Sequence, residues 1–303
     1  MPPLTFSIGL PVGGQIFAGL DLPQVVELAR RAEDAGAAAV VMPDHVVIGP
    51  RTDRYAWGQF RFANDAPWLE PLTLLSAMAA ATTTIRLATG VLIAPLRPAV
   101  LLAKTAATVD VLSRGRLELG VGTGWQQEEF DAEGLDFAAR GQLLTDTMAA
   151  CRALWRDSPA TFSSATIAFK EIWCEPKPVQ PGGPTVLFSG TLNARNLQRV
   201  TELGDGWIPI MGSTTDQIAD GVRRIGEAWR GAGRDPSRLR VRTTLPVIRD
   251  DDRRPDLAAS LAGAADLAAC GVTDVTLHLP AFVRHAAELD HWFGQLSELW
   301  HDH

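Results

Sequence analysis

The chain is poor in the residues that build disulfide frameworks and metal sites. Its 303 residues include only three cysteines, Cys151, Cys174 and Cys270, which lie far apart and form no CxxC pair. This spacing excludes a disulfide framework and argues against a zinc site built on thiolates. No HExxH or GxSxG motif occurs, so the sequence predicts neither a metal centre nor a serine nucleophile elbow. We interpret the cysteines as small buried hydrophobes.

Positive charge and long apolar runs are also scarce. Aspartate and glutamate outnumber lysine and arginine by 35 to 28, which gives a formal net charge of −7. An acidic balance without basic runs argues against nucleic acid as a partner. No stretch reaches the roughly 18 consecutive apolar residues of a membrane span, and the start, MPPLTFSIGLPVGG, lacks the basic segment of a signal peptide. We therefore expect a cytoplasmic protein.

Apolar runs alternate with helix-period segments along the whole chain, which is 46% hydrophobic. Continuous apolar runs predict strands that are buried on both faces. The predicted strands are Leu4–Leu10, Ala37–Met42, Ile85–Ile93, Arg116–Val121, Thr185–Ser189, Gly206–Ile210, Leu239–Val247 and Thr273–Leu279. The predicted helices are Leu22–Ala35, Pro71–Ala81, Ala99–Leu112, Gln126–Trp155 with a break near Gly134, Asn193–Leu203, Thr215–Arg230, Asp256–Cys270 and Phe282–Leu299.

Eight strand–helix units predict an α/β protein that closes as a (β/α)8 TIM barrel, with an open doubly wound sheet as the alternative. No shift of composition divides the chain, so we expect one domain over residues 1–303. Two segments exceed the minimal barrel: Pro43–Leu69, after the second strand, and Pro159–Gly183, before the fifth. Long excursions inside a compact domain are typically lids or binding loops. The first holds five aromatic residues, which are Tyr55, Trp57, Phe60, Phe62 and Trp68.

One of the six histidines stands where barrel enzymes place their chemistry. His45 follows Pro43 and Asp44 directly at the C-terminal end of the second strand. An imidazole beside a carboxylate there suits proton transfer, orientation or anion binding, whereas the simpler interpretation is a loop histidine capped by its neighbour. His278 lies within the eighth strand, where it points either into the barrel or out to a helix. The others are His285 and His291 in the last helical pattern and His301 and His303 at the tail.

Glycines mark three strand ends. The run Leu119–Trp125, LGVGTGW, lets the backbone approach a flat or anionic ligand closely. Ser189-Gly190-Thr191 offers hydroxyls and helix N–H groups for a phosphate, or simple helix capping. Gly90, inside the third strand, predicts a bulge or a close approach. Because each lies at the C-terminal part of a parallel strand, we expect all three and Asp44 to open onto the same end of the barrel.

Together these segments resemble the bacterial luciferase-like flavin and deazaflavin oxidoreductases, over essentially the whole chain. The most specific stretch is Ala88–Arg140, in which Arg97, Asp110, Ser113–Arg116 and the GVGTGW run follow in the order the family shows. Further matching segments are Pro176–Pro184 and Leu203–Trp207. The Pro43-Asp44-His45 segment and the aromatic insertion look most like the branch that uses coenzyme F420, a 5-deazaflavin.

The resemblance implies a set of roles. Asp44 and His45 would lie beside the reactive ring carbon, with His45 exchanging a proton or stabilising charge and Asp44 orienting it. Gly90 and Val91 would support the ring from behind, through a cis peptide bond. The other cofactor contacts implied are Thr123, Gly124, Trp125, Ser189, Gly190 and Thr191. Related barrels often pair, so a homodimer is expected by analogy.

Two departures bear on the substrate. Sugar-phosphate dehydrogenases of this branch carry a glutamate where this chain has Trp125, and a tryptophan where it has Ile48 or Gly49. Both differences argue against a sugar phosphate, so the sequence predicts hydride transfer between F420 and an unidentified small organic molecule. The alternatives are an FMN-dependent two-component monooxygenase with a separate reductase, a non-catalytic flavin-binding barrel, and an unrelated barrel lyase or hydrolase.

Overall fold

The computed structural model describes residues 3–11, 20–60 and 62–300. Its strands are β1 Thr5–Gly9, β2 Ala39–Met42, β3 Arg86–Ile93, β4 Leu117–Gly122, β5 Ala160–Ser163, β6 Ala168–Ile172, β7 Thr185–Ser189, β8 Gly206–Ile208, β9 Arg240–Thr244, β10 Ile248–Arg249, β11 Pro255–Asp256 and β12 Asp274–His278. Its α-helices are α1 Val25–Asp34, α2 Pro71–Ala81, α3 Ala99–Leu112, α4 Gln127–Ala132, α5 Arg140–Arg156, α6 Ala194–Glu202, α7 Thr215–Gly231, α8 Leu257–Ala262, α9 Ala264–Ala269, α10 Leu279–Phe282 and α11 Leu289–Trp300. The tail histidines His301 and His303 lie outside the described residues.

Eight parallel strands form a closed barrel in the order β1-β12-β9-β8-β7-β4-β3-β2. Closure is direct, because β1 pairs with β12 on one side and with β2 on the other. The (β/α)8 prediction is therefore confirmed, and the open doubly wound sheet is excluded. All eight predicted strands form, because buried parallel strands need long apolar runs that few other elements share.

The structure departs from the predicted elements at glycines, in the insertions and at the C-terminal end, where the helix predicted from Phe282 begins only at Leu289. The long helix predicted after β4 breaks into α4 and α5 near Gly134, as expected, where φ is +67°. The helix predicted over Asp256–Cys270 is instead divided into α8 and α9 at Gly263. The second insertion contains the antiparallel hairpin β5–β6, which was not predicted because its strands carry few consecutive apolar residues.

The N-terminal half of the barrel interior is filled by charged side chains. Arg242, which is 2% exposed, donates to Glu118 and Asp274, and Arg240 also pairs with Glu118. Burial alone would raise the pKa of Glu118, but the neighbouring arginines lower it below its usual value. This paired cluster closes the bottom of the barrel, so a ligand can enter the barrel only from the opposite end.

The C-terminal half of the interior is lined instead by small residues. Gly9 ends β1, Gly90 lies in the bulge of β3, and Gly120 and Gly122 alternate along β4. Several lie against a neighbour: a Cβ at Gly122 would lie 2.8 Å from Cγ2 of Val91. Small side chains here leave an open mouth at the C-terminal ends of the strands, where (β/α)8 enzymes bind their substrates.

Cys151 and Cys174 are buried free thiols and Cys270 is half-buried, in line with the interpretation as structural residues. Burial raises the pKa of the Cys151 thiol far above its usual value, which keeps it protonated. Among the described residues, no helix has both the length and the apolar character needed to cross a bilayer, and no three His, Cys, Asp or Glu side chains stand together as metal ligands would.

Candidate active site

The predicted site residues come together at the C-terminal mouth of the barrel. Asp44 and His45 follow β2, Gly90 and Val91 lie in β3, Thr123–Trp125 follow β4, and Ser189–Thr191 end β7. These four strands are consecutive neighbours in the barrel. The predicted residues therefore occupy one continuous half of the rim, as expected from strand direction.

His45 lies in an aromatic enclosure built by the first insertion. Its imidazole contacts Trp68 edge-on at 4.7 Å between ring centroids, with Phe60 at 5.8 Å and Trp125 at 5.9 Å. The side chain is only 9% exposed. Tyr55 joins the same cluster through Trp125, at 5.1 Å. These rings fix the orientation of the imidazole and keep bulk water away from it.

The carboxylate that orients His45 is Glu129, which the sequence did not single out. Its Oε2 lies 3.1 Å from Nδ1 of His45, and its Oε1 accepts from the backbone N–H of Val46 at 2.9 Å. Glu129 lies in the first turn of α4 and is fully buried. A buried carboxylate is rare unless it has a partner, and this partner is the imidazole.

Asp44 does not bond to His45, contrary to the role expected for it. Its carboxylate accepts two hydrogen bonds from Arg97, at 2.7 and 3.0 Å, and a third from the N–H of Ile93 at 2.8 Å. Arg97 also donates to Glu70, the N-cap of α2. Burial alone would lower the pKa of Arg97, but Asp44 and Glu70 raise it. The guanidinium captures Asp44 because a bidentate charged pair is stronger than one bond to an imidazole.

The third strand carries the predicted irregularity. Its pairing with β4 shifts register between Thr89 and Leu92, and the Gly90–Val91 peptide is cis, as the resemblance implied. Gly90 and Val91 are both half-buried within a strand whose flanking residues are buried. A Cβ at Gly90 would lie 2.3 Å from Cγ1 of Val41, so only glycine fits this wall of the mouth.

The loop after β4 forms the adjoining wall. Gly124 adopts φ +73°, and a Cβ there would lie 2.8 Å from Ile93 and 3.2 Å from Phe130. Trp125 continues the wall as part of the aromatic enclosure. The next residue, Gln126, is buried and bonds to both the N–H and the C=O of Gly49. Gln126 thereby ties the aromatic insertion to the glycine loop.

The turn after β7 is held open by its neighbours. Gly190 has φ +114°, its C=O accepts from Nε1 of Trp207 at 2.9 Å, and a Cβ would meet nothing nearer than 3.9 Å. Asn193 caps α6, and Asn196 donates to the carbonyls of Ser189 and Thr191. The N–H of Gly190 donates to the carbonyl of Ile208, so the turn presents the exposed Thr191 side chain and the start of α6 to the mouth.

The helix that follows this turn, α6, carries two arginines, one in its first turn and one in its last. Arg199 has its pKa lowered to about 10, by burial and by the nearby charge of Arg195. Both guanidiniums lie close to Gly141, at the start of α5. Among the described residues, neither arginine forms an ion pair with a carboxylate. Arg199 donates to Oγ1 of Thr145 and to the carbonyl of Gly141, so the exposed Arg195, in the first turn of α6, is the arginine that favours an anion there.

Comparison with known proteins agrees with this geometry. The family model for luciferase-like monooxygenases matches residues 6–298. The chain belongs to this family. Membership makes it an oxidoreductase, as the resemblance implied.

Two relatives and one solved structure illustrate the similarity. An uncharacterised protein of Mycobacterium tuberculosis is 33% identical over 83% of this chain and 86% of its own length. An F420-dependent glucose-6-phosphate dehydrogenase of Amycolatopsis mediterranei is 28% identical over 82% of this chain and 71% of its own. A monooxygenase from Streptomyces bottropensis shares the fold at a TM-score of 0.73, with 17% identity, over 99% of this chain and 98% of its own.

Proposed function

We propose that the protein is an F420-dependent oxidoreductase that transfers a hydride between the deazaflavin and a small organic substrate. The observation that carries the proposal is the continuous half-rim of glycines that ends at a cationic turn. A flat ring needs the space that Gly90, Gly122 and Gly124 leave, and a phosphate needs the N–H groups and charges around Thr191 and Arg195. The similarity to an F420-dependent dehydrogenase supports the deazaflavin over FMN.

The residues present fit such a cofactor. The glycine wall is a recess that side chains would fill, since a Cβ at Gly122 or Gly124 would lie 2.8 Å from Val91 or Ile93. At the other end, a Cβ at Gly190 would meet only Nδ2 of Asn196, at 3.9 Å. We therefore propose Gly90, Val91, Thr123, Gly124 and Trp125 for the ring, and Ser189, Gly190 and Thr191 for the phosphate. When bound, the deazaflavin supplies the carbon that donates or accepts a hydride.

The protein's own contribution is positioning and one proton. Because the Glu129 carboxylate lies at Nδ1 of His45, it favours the imidazole tautomer that is protonated at Nδ1. Nε2 of His45 is then free to accept a proton. The aromatic enclosure excludes water from this imidazole. Asp44 is proposed to act indirectly, because its bonds to Arg97 and Ile93 anchor the end of β3 beside the ring site.

A cofactor titration tests the proposal. We expect the purified protein to quench F420 fluorescence saturably and to bind FMN about tenfold more weakly than F420. A two-component monooxygenase would not show this preference. Binding to FMN alone, with oxygen consumption when a flavin reductase is added, would favour the monooxygenase alternative. Tight F420 binding without turnover across alcohol and ketone panels would favour the non-catalytic barrel. Binding to neither would overturn the proposal.

We further propose that the protein forms a homodimer through α3. This helix is apolar on its exposed face as well as its buried one: Leu101 is 61% exposed and Leu112 is 59% exposed. Beside it, Trp173 is 68% exposed, and Lys104 donates to the carbonyl of Glu175, which holds that segment against the helix. Because this surface is apolar and Lys104 is already bonded, a second copy of the same surface fits it best.

A further inference from the structure

The mouth of the barrel has a second half that the proposed cofactor site does not use. The proposed cofactor residues lie on β2, β3, β4 and β7, whereas β8, β9, β12 and β1 complete the ring. The four residues that follow each of these latter strands include no lysine, arginine, aspartate or glutamate. A molecule that reacts at the face of a ring held by the first half must lie against this second half.

Among the described residues of this half-rim, His278 and Thr244 are two exposed polar side chains that contact each other. Each is the last residue of its strand, β12 and β9, and each is solvent-exposed although its neighbours along the strand are largely buried. Nε2 of His278 lies 3.2 Å from Oγ1 of Thr244. The imidazole fits there because β1 ends in glycine: a Cβ at Gly9 would lie 2.4 Å from Nδ1. The histidine thus points into the barrel, which decides between the two orientations expected from the sequence.

The pair is polar but uncharged. Solvent reaches the imidazole through the mouth, yet the surrounding barrel wall lowers the pKa of His278 from 6.5 by burial, without a carboxylate partner. The hydroxyls next below it, Ser7 and Thr276, are neutral and lie 3.1 Å from each other. The nearest charged side chain below them, Asp274, is already bonded by Ser7 and Arg242. A neutral imidazole and a hydroxyl bind an uncharged group without having to neutralise it.

His278 and Thr244 can also exchange their roles as hydrogen-bond donor and acceptor. If the Thr244 hydroxyl donates to Nε2, its lone pairs remain free to accept a hydrogen bond from an alcohol. If Nε2–H donates to the hydroxyl, the hydroxyl proton is free to bind a carbonyl oxygen. A tautomer change of His278 and a rotation of one hydroxyl therefore suffice to bind an oxygen in either form.

We propose that His278 and Thr244 form a substrate-binding pair that holds an uncharged hydroxyl or carbonyl oxygen, so that the substrate is a neutral, largely apolar molecule. This inference rests on the proposed function, because the cofactor half of the rim defines where the substrate lies. The exposed aromatic and aliphatic surfaces around the mouth receive the apolar remainder. Trp125, where sugar-phosphate dehydrogenases of the resembled branch carry a glutamate, also favours an apolar substrate.

The test uses cyclohexanol and cyclohexanone as neutral probes and cyclohexanecarboxylate as the charged one. Ring-nitrogen NMR of 15N-histidine protein is recorded with and without F420, and the His278 signal is identified by its loss in His278→Phe. We expect saturable shifts of the His278 nitrogens with both neutral probes and none at His291, which is exposed on α11. Ligand-observed NMR should show about three- to tenfold weaker probe binding in His278→Phe and in Thr244→Val, the range for one lost neutral hydrogen bond.

Matched variants, and the comparison of measurements with and without F420, distinguish a failure of the binding pair from a failure of the proposed function. His291→Phe makes the same change outside the mouth and should bind the probes as the wild type does. The inference is overturned if the His278 signals stay unshifted with and without F420, if Thr244→Val binds the probes as tightly as the wild type, or if the carboxylate binds as tightly as the alcohol. If F420 fails to bind while His278 responds to the neutral probes, the proposed function falls and the binding pair stands.

Discussion

At the residue scale, the site depends on which carboxylate holds which partner. Asp44 is adjacent to His45 in sequence but bonds to Arg97, and Glu129, 84 residues away from His45, bonds to the imidazole. Glu129 therefore positions the His45 imidazole, whereas Asp44 anchors the end of β3. The two residues should therefore respond differently to substitution.

We predict that His45→Ala lowers the hydride-transfer rate by at least about 10², the lower range for loss of a general acid or base. F420 affinity should stay within about tenfold, since the phosphate turn on β7 is untouched. Single-turnover absorbance of F420 gives the rate and fluorescence titration gives the affinity. His291→Ala is the matched control, and an unchanged single-turnover rate would remove His45 from the mechanism.

We predict that Glu129→Gln lowers the rate by about 10² or more while leaving F420 affinity unchanged. The amide can still accept from the N–H of Val46, but its NH2 group at Nδ1 favours the opposite imidazole tautomer, so that Nε2 becomes a donor. A merely structural role would alter affinity and stability without displacing the pH profile of the rate. The exposed Glu133→Gln serves as control, and an unshifted pH profile would show that Glu129 only packs.

At the scale of elements, helix starts and strand ends supply both binding and stability. The turn from β7 into α6 offers the first N–H groups of α6 and the charge of Arg195, whereas the contact between α1 and the α2–β3 loop is purely structural. There, Glu33 of α1 accepts hydrogen bonds from the N–H groups of Thr83 and Ile85. These two contacts lead to two independent predictions.

We predict that Thr191→Glu abolishes F420 binding in a protein that remains folded. A carboxylate at this exposed position repels the phosphate and competes for Arg195. Fluorescence titration and circular dichroism measure the two properties. Thr215→Glu, at the exposed start of α7, makes the same change at a different helix and should bind normally; retained affinity in Thr191→Glu would place the phosphate elsewhere.

We predict that Glu33→Gln destabilises the fold at pH 7 by about 1–3 kcal/mol, the range for disrupting charged hydrogen bonds. Burial alone would raise the pKa of Glu33, but N–H groups of Thr84, Ile85 and Thr83 lower it from 4.5 to about 2. A lowered carboxyl pKa stabilises the fold above the unfolded value and loses that effect as pH falls through the folded one. The difference between variant and wild type should therefore shrink between pH 4.5 and 2 in denaturant titrations. Glu27→Gln, exposed on the same helix, should show no such difference, and a gap that persists at pH 2 would contradict the assignment.

At the scale of the whole molecule, the two ends of the barrel interior are lined by different kinds of residue. Paired charges close the N-terminal half, and glycines with a few neutral side chains leave the C-terminal half open. The outer surface is divided as well, because α3 and the neighbouring Trp173 segment expose an area of large apolar side chains. We propose that residues 1–303 form one domain, and that this area pairs two of them.

We predict that light scattering after gel filtration gives a dimer for the wild type and a monomer for Leu101→Lys combined with Leu112→Lys. Two lysines facing their own copies in a two-fold interface repel each other and lose apolar burial. Ile248→Lys introduces charge at another exposed aliphatic position and should leave the dimer intact. A wild type that runs as a monomer at micromolar concentration would rule out this interface.

The sequence alone determined the eight strands, the helices α2 and α3, and the location of His45 and the glycines at strand ends. These features follow from local causes: apolar runs, helix periodicity, and the rule that parallel strands end on one side.

Tertiary structure decided three things that depend on contacts between distant residues. Glu129 rather than Asp44 reaches His45, because Arg97 takes Asp44. Arg199 is bonded by Thr145 and Gly141 of α5, which leaves Arg195 as the arginine beside the proposed phosphate turn, and His278 points inward because β1 ends in glycine. Barrel closure brings β1 beside β12 across some 270 residues, and no pattern within either strand specifies that neighbour.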